Sequence, residues 1–183
     1  MPPPRLDVEH TAVLLVDVQE KLLPHIHDAG LVVQQIGLLL DAARALKLPV
    51  LVTEQYRKGL GPTVDALARR FDRCQVRHEK LRFSACIEPV VQELAHRGIR
   101  SVLVCGIEAH VCVLQTCLDL VASGYVTALV VDAIGSRRIQ DRQAAVQRMV
   151  QAGVMPTTVE SALLEMVTEA GTSRFKAVLG LIR

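Results

Sequence analysis

The 183-residue chain has no tryptophan, three phenylalanines and two tyrosines, so the aromatic platforms on which nucleic-acid bases stack are scarce. Charge offers no substitute: 21 lysines and arginines face 19 acids, a formal net charge of +2, and no basic groove stands out. Nucleic acid is therefore not the expected partner; small-molecule chemistry is. The opening MPPPRLDVEH lacks an apolar core and already carries acids, which argues against a signal or transit peptide and for a cytoplasmic protein. Long apolar runs are missing too. Leu31 to Leu40 is interrupted by Gln34, Gln35 and Gly37 and falls short of the roughly 20 residues a membrane helix requires, so no membrane association is expected. The five cysteines (Cys74, Cys86, Cys105, Cys112, Cys117) form no CxxC pair or repeated spacing, so neither a disulfide framework nor a zinc knuckle is indicated. They read as free thiols, and Cys105 and Cys117 as small core residues.

What the chain does have is apolar material: half of its residues are hydrophobic, enough for the core of one domain spanning 1–183. Thr11 to Val16 is a continuous apolar run ending at Asp17, the signature of a strand buried on both faces of a parallel sheet. Leu31 to Leu46 carries helical spacing until Lys47, Leu48 and Pro49 stop it. Val50 to Thr53 reads as a second strand and Glu54 to Pro62, with Gly59 and Gly61, as a loop. A short helix over Thr63 to Phe71 and a polar strand over Gln75 to Glu79 follow, with Lys80 just beyond. Glu88 to Arg97 is helical up to Gly98; Ser101 to Cys105 is a strand, and Ala109 to Ser123 a helix. Thr127 to Val131 is a strand ending in Asp132, Asp141 to Ala152 a helix, Pro156 to Val159 a strand, and Ser161 to Ala170 and Phe175 to Ile182 are helices. This alternation predicts a three-layer α/β/α fold with a mainly parallel central sheet and right-handed crossovers.

In such sheets ligands bind beyond the carboxyl ends of the strands. Asp17, Glu54 to Arg57, Lys80 and Gly106 to Cys112 all fall there. Cys112 is expected in the first turn of its helix, where unpaired amides, the helix dipole and a neighbouring ammonium such as Lys80 would depress its pKa. Asp17 would take the thiol proton and return it to a leaving group. Taken singly, each residue has an ordinary alternative: a cap, a surface charge, a core cysteine.

In combination they carry a resemblance. LLVDVQ (Leu14 to Gln19), Lys80 followed by Phe83, Ser84 and Ala85, GIEAHVCVLQT (Gly106 to Thr116) and VVDAIGSR (Val130 to Arg137) resemble, in that order, the isochorismatase-like cysteine hydrolase superfamily. TEQYRKGLGPTV (Thr53 to Val64) looks like the branch of isochorismatase domain-containing proteins. The resemblance spans nearly the whole chain. It implies an aspartate, lysine and cysteine triad on Asp17, Lys80 and Cys112. It also implies a cis peptide joining Ile107 to Glu108 and an oxyanion hole from the backbone amides of Glu108 and Cys112. Gln19, Tyr56, Phe83, Ile107 and His110 are the candidates for the pocket wall.

The implied reaction is cysteine attack on a small-molecule amide or related C–N bond through a thioester. Two alternatives stay open: vinyl ether hydrolysis by Asp17 alone, as in true isochorismatases, and a catalytically silent oligomeric binding or regulatory protein. No cofactor is implied. Nicotinamidases of the superfamily carry a metal on an aspartate and histidines after the second strand. Nothing comparable follows Val52, and His25, His27 and His78 read as surface histidines. The glycine-punctuated apolar helices and tail suggest a homo-oligomer.

Overall fold

In the computed structural model, which describes residues 4–72 and 74–183, β1 (Thr11–Val16) is buried along its whole length. Six apolar residues with no polar face leave it no place but the middle of a sheet. It pairs in parallel with β2 (Val50–Gln55) on one side and β4 (Ser101–Ile107) on the other. β3 (Arg77–Lys80), β5 (Val126–Gly135) and β6 (Met155–Thr157) complete the sheet in the order β3-β2-β1-β4-β5-β6, every pairing parallel.

Alternation along β1 feeds two cores. Val13 and Leu15 meet α1 (Ala29–Leu46), α7 (Val159–Val167) and α8 (Ser173–Ile182). Ala12, Leu14 and Val16 meet α4 (Glu88–His96), α5 (Leu114–Ala122) and α6 (Ile139–Gln151) on the opposite face. This is the expected three-layer fold. At 18 residues, with a mean hydropathy of 1.3, α1 is long and apolar enough to cross a membrane. Here its apolar stripe, including Ile36, Leu39 and Leu40, is built into the core.

The strand order reverses beside β1, since β2 and β3 lie on one flank and β4 to β6 on the other. A crevice therefore opens at the carboxyl ends of β1 and β4, where a doubly wound sheet places its ligand. The two strands approach closely there. Gly106, at φ 120°, faces Val16 in register, and a Cβ on it would collide with the Val16 carbonyl and lie 2.7 Å from its nitrogen. Only glycine fits.

Several boundaries differ from expectation, each for a reason outside local sequence. β2 runs on to Gln55, the expected loop contains the single turn α2 (Arg57–Leu60), and the short helix expected over Thr63 to Phe71 is the single turn α3 (Asp65–Ala68). Lys80 closes β3 instead of following it, because Gln55 pairs with it. β5 extends to Gly135: β4 advances two residues from Val104 to Gly106 while β5 advances five, from Leu129 to Ile134. Asp132 lies in that irregularity, and its carboxylate accepts from the Val159 amide at 3.0 and 3.2 Å, so α7 starts two residues earlier than predicted. The segment after β4 opens with a π-helical turn, Ala109–Val113, before α5 begins.

Candidate active site

Asp17 leaves β1 in the left-handed region, at φ 54°, a conformation aspartate tolerates better than most residues. That turn points its carboxylate along the sheet edge, where it is fully buried. Oδ1 accepts from the Thr53 hydroxyl at 2.8 Å, and Oδ2 lies 2.6 Å from Lys80 Nζ, both side chains being withdrawn from solvent. Two of the aligned donors of Lys80 go to Gln55 Oε1 and the Phe83 carbonyl, each at 2.7 Å, with the Arg82 carbonyl at 3.3 Å. The contact with Asp17 is consequently ionic, without a lined-up hydrogen bond to Oδ2. Gln55 and two carbonyls serve the ammonium of this buried pair and Thr53 serves Asp17 Oδ1, leaving Oδ2 with the ionic contact alone.

Cys112 lies beside this pair. Its thiol is within hydrogen-bonding reach of Asp17 and feels the charge of Lys80, and the residue is 6% exposed. The nucleophile candidate sits in the π-turn, two residues before α5. Thr116 anchors that turn: its hydroxyl donates to the Cys112 carbonyl at 2.6 Å and accepts from the Ala85 amide at 2.8 Å. The turn is thereby tied to the segment that follows Lys80. Asp17, Lys80 and Cys112, from three separate parts of the sequence, thus meet in one place.

The electrostatics correct one expectation. Burial, with the Asp17 carboxylate adding to it, pushes the Cys112 thiol up to about 12, against the pull of Lys80. The thiol is not held as a resting thiolate. Cys112 does lie in the first turn of the helical segment that begins at Ala109, but loss of hydration outweighs the help of that helix end. Burial also raises Asp17 above the ordinary carboxylate range, with Lys80, Thr53 and Cys112 opposing it.

On the other flank of the π-turn, the Ile107–Glu108 peptide is cis. The buried Glu108 carboxylate is held by Arg137 in a two-pronged contact, with Nε at 3.0 and 3.1 Å and Nη2 at 2.8 Å. His110 Nδ1 pairs with Ser136 Oγ at 3.0 Å. Neither Arg137 nor Ser136 was singled out as a site residue in the sequence.

The five expected wall residues divide. Gln19 is fully buried and its amide is spent on backbone: Nε2 donates to Gln55 O at 2.9 Å and Gly61 O at 2.6 Å, and Oε1 accepts from Gln55 N at 2.7 Å. It braces β2 and does not face a ligand. Ile107 is packed into the α1 side of the core, which also removes it from the wall. Tyr56 and Phe83 are 48% and 51% exposed on either side of the Lys80 loop, and His110 is partly exposed. Thr53 and Thr116 were missed, and Gln55 was reached only as part of the segment Glu54 to Arg57. The one signal for Thr53 and Gln55 was a pair of polar residues two apart at the end of an otherwise apolar strand.

His27 pairs with Asp28 at 3.0 Å and His78 with Glu93 at 3.7 Å. Among the described residues, no group of three His, Cys, Asp or Glu side chains is arranged to hold a metal ion.

Comparison with known proteins gives the family and the fold. The isochorismatase domain family model matches residues 11–161. The chain is 39% identical over 179 residues to isochorismatase domain-containing protein 2 of Danio rerio, covering 97% of this chain and 89% of that protein. The structure named MAR1 ribonuclease from Caenorhabditis elegans is 40% identical, with a TM-score of 0.94 over 98% of this chain and 92% of its own. Two structures of YcaC are also similar. The Escherichia coli protein, described as an octameric hydrolase of unknown specificity, is 26% identical with a TM-score of 0.90 over 99% and 90% of the two chains. The Pseudomonas aeruginosa protein, described with hexane-2,5-diol and covalent acrylamide, is 28% identical with a TM-score of 0.88 over 97% and 91%.

Proposed function

The chain belongs to the isochorismatase family, and from that premise we propose that it is a hydrolase that opens a small-molecule amide or related C–N bond through a thioester on Cys112. The observation that carries this reading is the buried contact of Asp17 with Lys80 at 2.6 Å, with the Cys112 thiol on the same carboxylate.

The resting thiol keeps its proton beside Asp17, whose carboxyl is raised by burial against the pull of Lys80, Thr53 and Cys112; the ionised carboxylate is the form we assign to the attack. As sulfur attacks the carbonyl carbon, the proton passes to Asp17 and the carbonyl oxygen becomes negative. The amides of Glu108 and Cys112 are the donors we assign to that oxygen. The C–N bond then breaks, Asp17 delivers the proton to the departing nitrogen, and the acyl group stays on sulfur. Water, giving its proton to Asp17, attacks the thioester and releases the acid, and the proton returns to the thiol. Tyr56, Phe83 and His110 supply the wall we assign to the substrate. A covalent acrylamide on a similar protein is consistent with a reactive nucleophile in this fold.

Two further aspects belong to the proposal. The octamer described for a similar protein, together with the exposed Val76, Leu81, Phe83 and Tyr56 around β3, supports a homo-oligomer. A thiol nucleophile among five unpaired cysteines supports a reducing, cytoplasmic setting.

The test is an ammonia-release screen over primary amides and carbamoyl compounds, comparing the parent with Cys112→Ala and Asp17→Asn. Release by the parent, abolished in both variants, is expected; identical traces for all three proteins would refute it. The raised Asp17 favours a second reading, vinyl ether protonation by that acid, in which Cys112→Ala would retain turnover and Asp17→Asn would not. Ribonuclease activity, suggested by the name of the C. elegans structure, would require an RNA strand to reach groups almost fully withdrawn from solvent. RNA degradation that disappears in Cys112→Ala would favour it over amide hydrolysis.

A further inference from the structure

Beyond the carboxyl end of β5 lies a cleft of about 400 Å3 between the starts of α1 and α6, and the proposed chemistry makes no use of it. Its volume is within the range of small-molecule pockets. Leu31 and Val32 of α1 and Ile134 and Ile139 of the facing segment give it apolar walls, two of which, Leu31 and Ile139, are exposed.

Its polar groups differ in how they are committed. His27 is paired with Asp28, which also offsets the positive end of α1. Asp132 is occupied by the Val159 amide. The Arg142 guanidinium is turned onto the carbonyls of Val131 and Ile134. Ser136 is bonded to His110. That leaves Arg138, whose side chain has no ion-pair or hydrogen-bond partner among the described residues, and Gln35, which is likewise free. Arg138 stands at the start of the 13-residue α6, whose end carries no side-chain cap and whose first acid is Asp141. Every acid lining the cleft is answered; one cation is not.

We propose that this cleft is a second ligand site, separate from Cys112, for a small organic carboxylate with an apolar body. The carboxylate would take two parallel bonds from the Arg138 guanidinium, with α6 amides behind it, and Gln35 would meet a polar substituent. The hydrocarbon part would lie between Leu31 and Ile139. An ammonium ligand would face Arg138 unpaired, and an uncharged ligand would gain only the walls.

The experiment is a titration of isotopically labelled full-length protein, with Cys112 alkylated beforehand, against benzoate, benzamide and benzylamine, following backbone amide resonances. Benzoate is expected to give saturable shifts confined to residues 27–35 and 132–142, with benzamide and benzylamine weaker by about tenfold or more. Arg138→Gln and Ile139→Asp should each weaken benzoate by a similar factor while leaving the rest of the spectrum unchanged. Because Arg138 is exposed and unpartnered and Ile139 is exposed, neither change removes a core contact. The proposal is overturned if no shifts appear in those segments. It is overturned equally if benzamide matches benzoate, or if Arg138→Gln binds as the parent does. Alkylation separates the two sites, so a failure here leaves the assignment of Cys112 untouched, and the reverse.

Discussion

Replacing Asp17 by asparagine should make Cys112 more reactive towards an alkylating agent while abolishing turnover. With the thiol near 12, its thiolate fraction at pH 8 is about one part in ten thousand, against roughly a tenth for a free cysteine near 9. Apart from burial, the carboxylate of Asp17 is the largest contributor to that shift. Asp17→Asn removes its charge and leaves the Lys80 ammonium facing the sulfur, so the thiol must fall from about 12, with burial still holding it up. Each unit of that fall raises the thiolate fraction tenfold at fixed pH, and the iodoacetamide rate by somewhat less because a less basic thiolate is a weaker nucleophile. Lys80→Met removes the opposing charge and should slow labelling below the parent's. The assay is mass-spectrometric labelling of Cys112 between pH 6 and 10, with circular dichroism as a control, because breaking a buried ion pair costs about 3–5 kcal/mol. For the parent the rate should climb across the whole range. A parent rate that levels off below pH 8, or an Asp17→Asn protein that labels more slowly while still folded, would refute the electrostatic account.

The same shifts bear on stability in alkali. Cys112 and Cys86, raised to about 12 and about 11 by burial, hold protons in the native state that the unfolded chain gives up near 9. From about pH 9 to 11 the native state therefore binds more protons, and stability falls by roughly 1.4 kcal/mol per pH unit per thiol; a urea midpoint that stays flat from pH 8.5 to 10.5 would contradict this. Gly106→Ala should displace the end of β1 that carries Asp17, lowering stability by about 1–3 kcal/mol or more and reducing amide turnover, both measurable against the parent. A full-activity Gly106→Ala protein would show that the close strand approach is dispensable. Thr116→Val leaves the Ala85 amide and the Cys112 carbonyl without their shared hydroxyl, and should cost about 1–3 kcal/mol in thermal or urea unfolding.

Much of this architecture was legible because it rests on local periodicity. TAVLLV has no polar face, and its predicted bounds match β1 residue for residue. Family-like motifs also led to Asp17, Lys80 and Cys112 before their proximity was known. What stayed hidden depends on partners distant in sequence. β5 outruns its apolar segment because of a register irregularity against β4, and no local signal marks that. Gln19 looked like a ligand contact because polar residues near a strand end often are. Its three bonds to the backbone at residues 55 and 61 exist only in the folded chain. The thiol's upward shift was misjudged because helix position can be read from sequence, whereas dehydration by neighbours cannot.

Lys80 is supplied by a four-residue ribbon at the border of the sheet, bonded to one neighbour only, whereas Asp17 and the turn carrying Cys112 follow the central strands β1 and β4. Gentle warming or dilute denaturant should peel that border first, separating ammonium from carboxylate while the bulk of the molecule stays native. Such a protein would be silenced well before it melts.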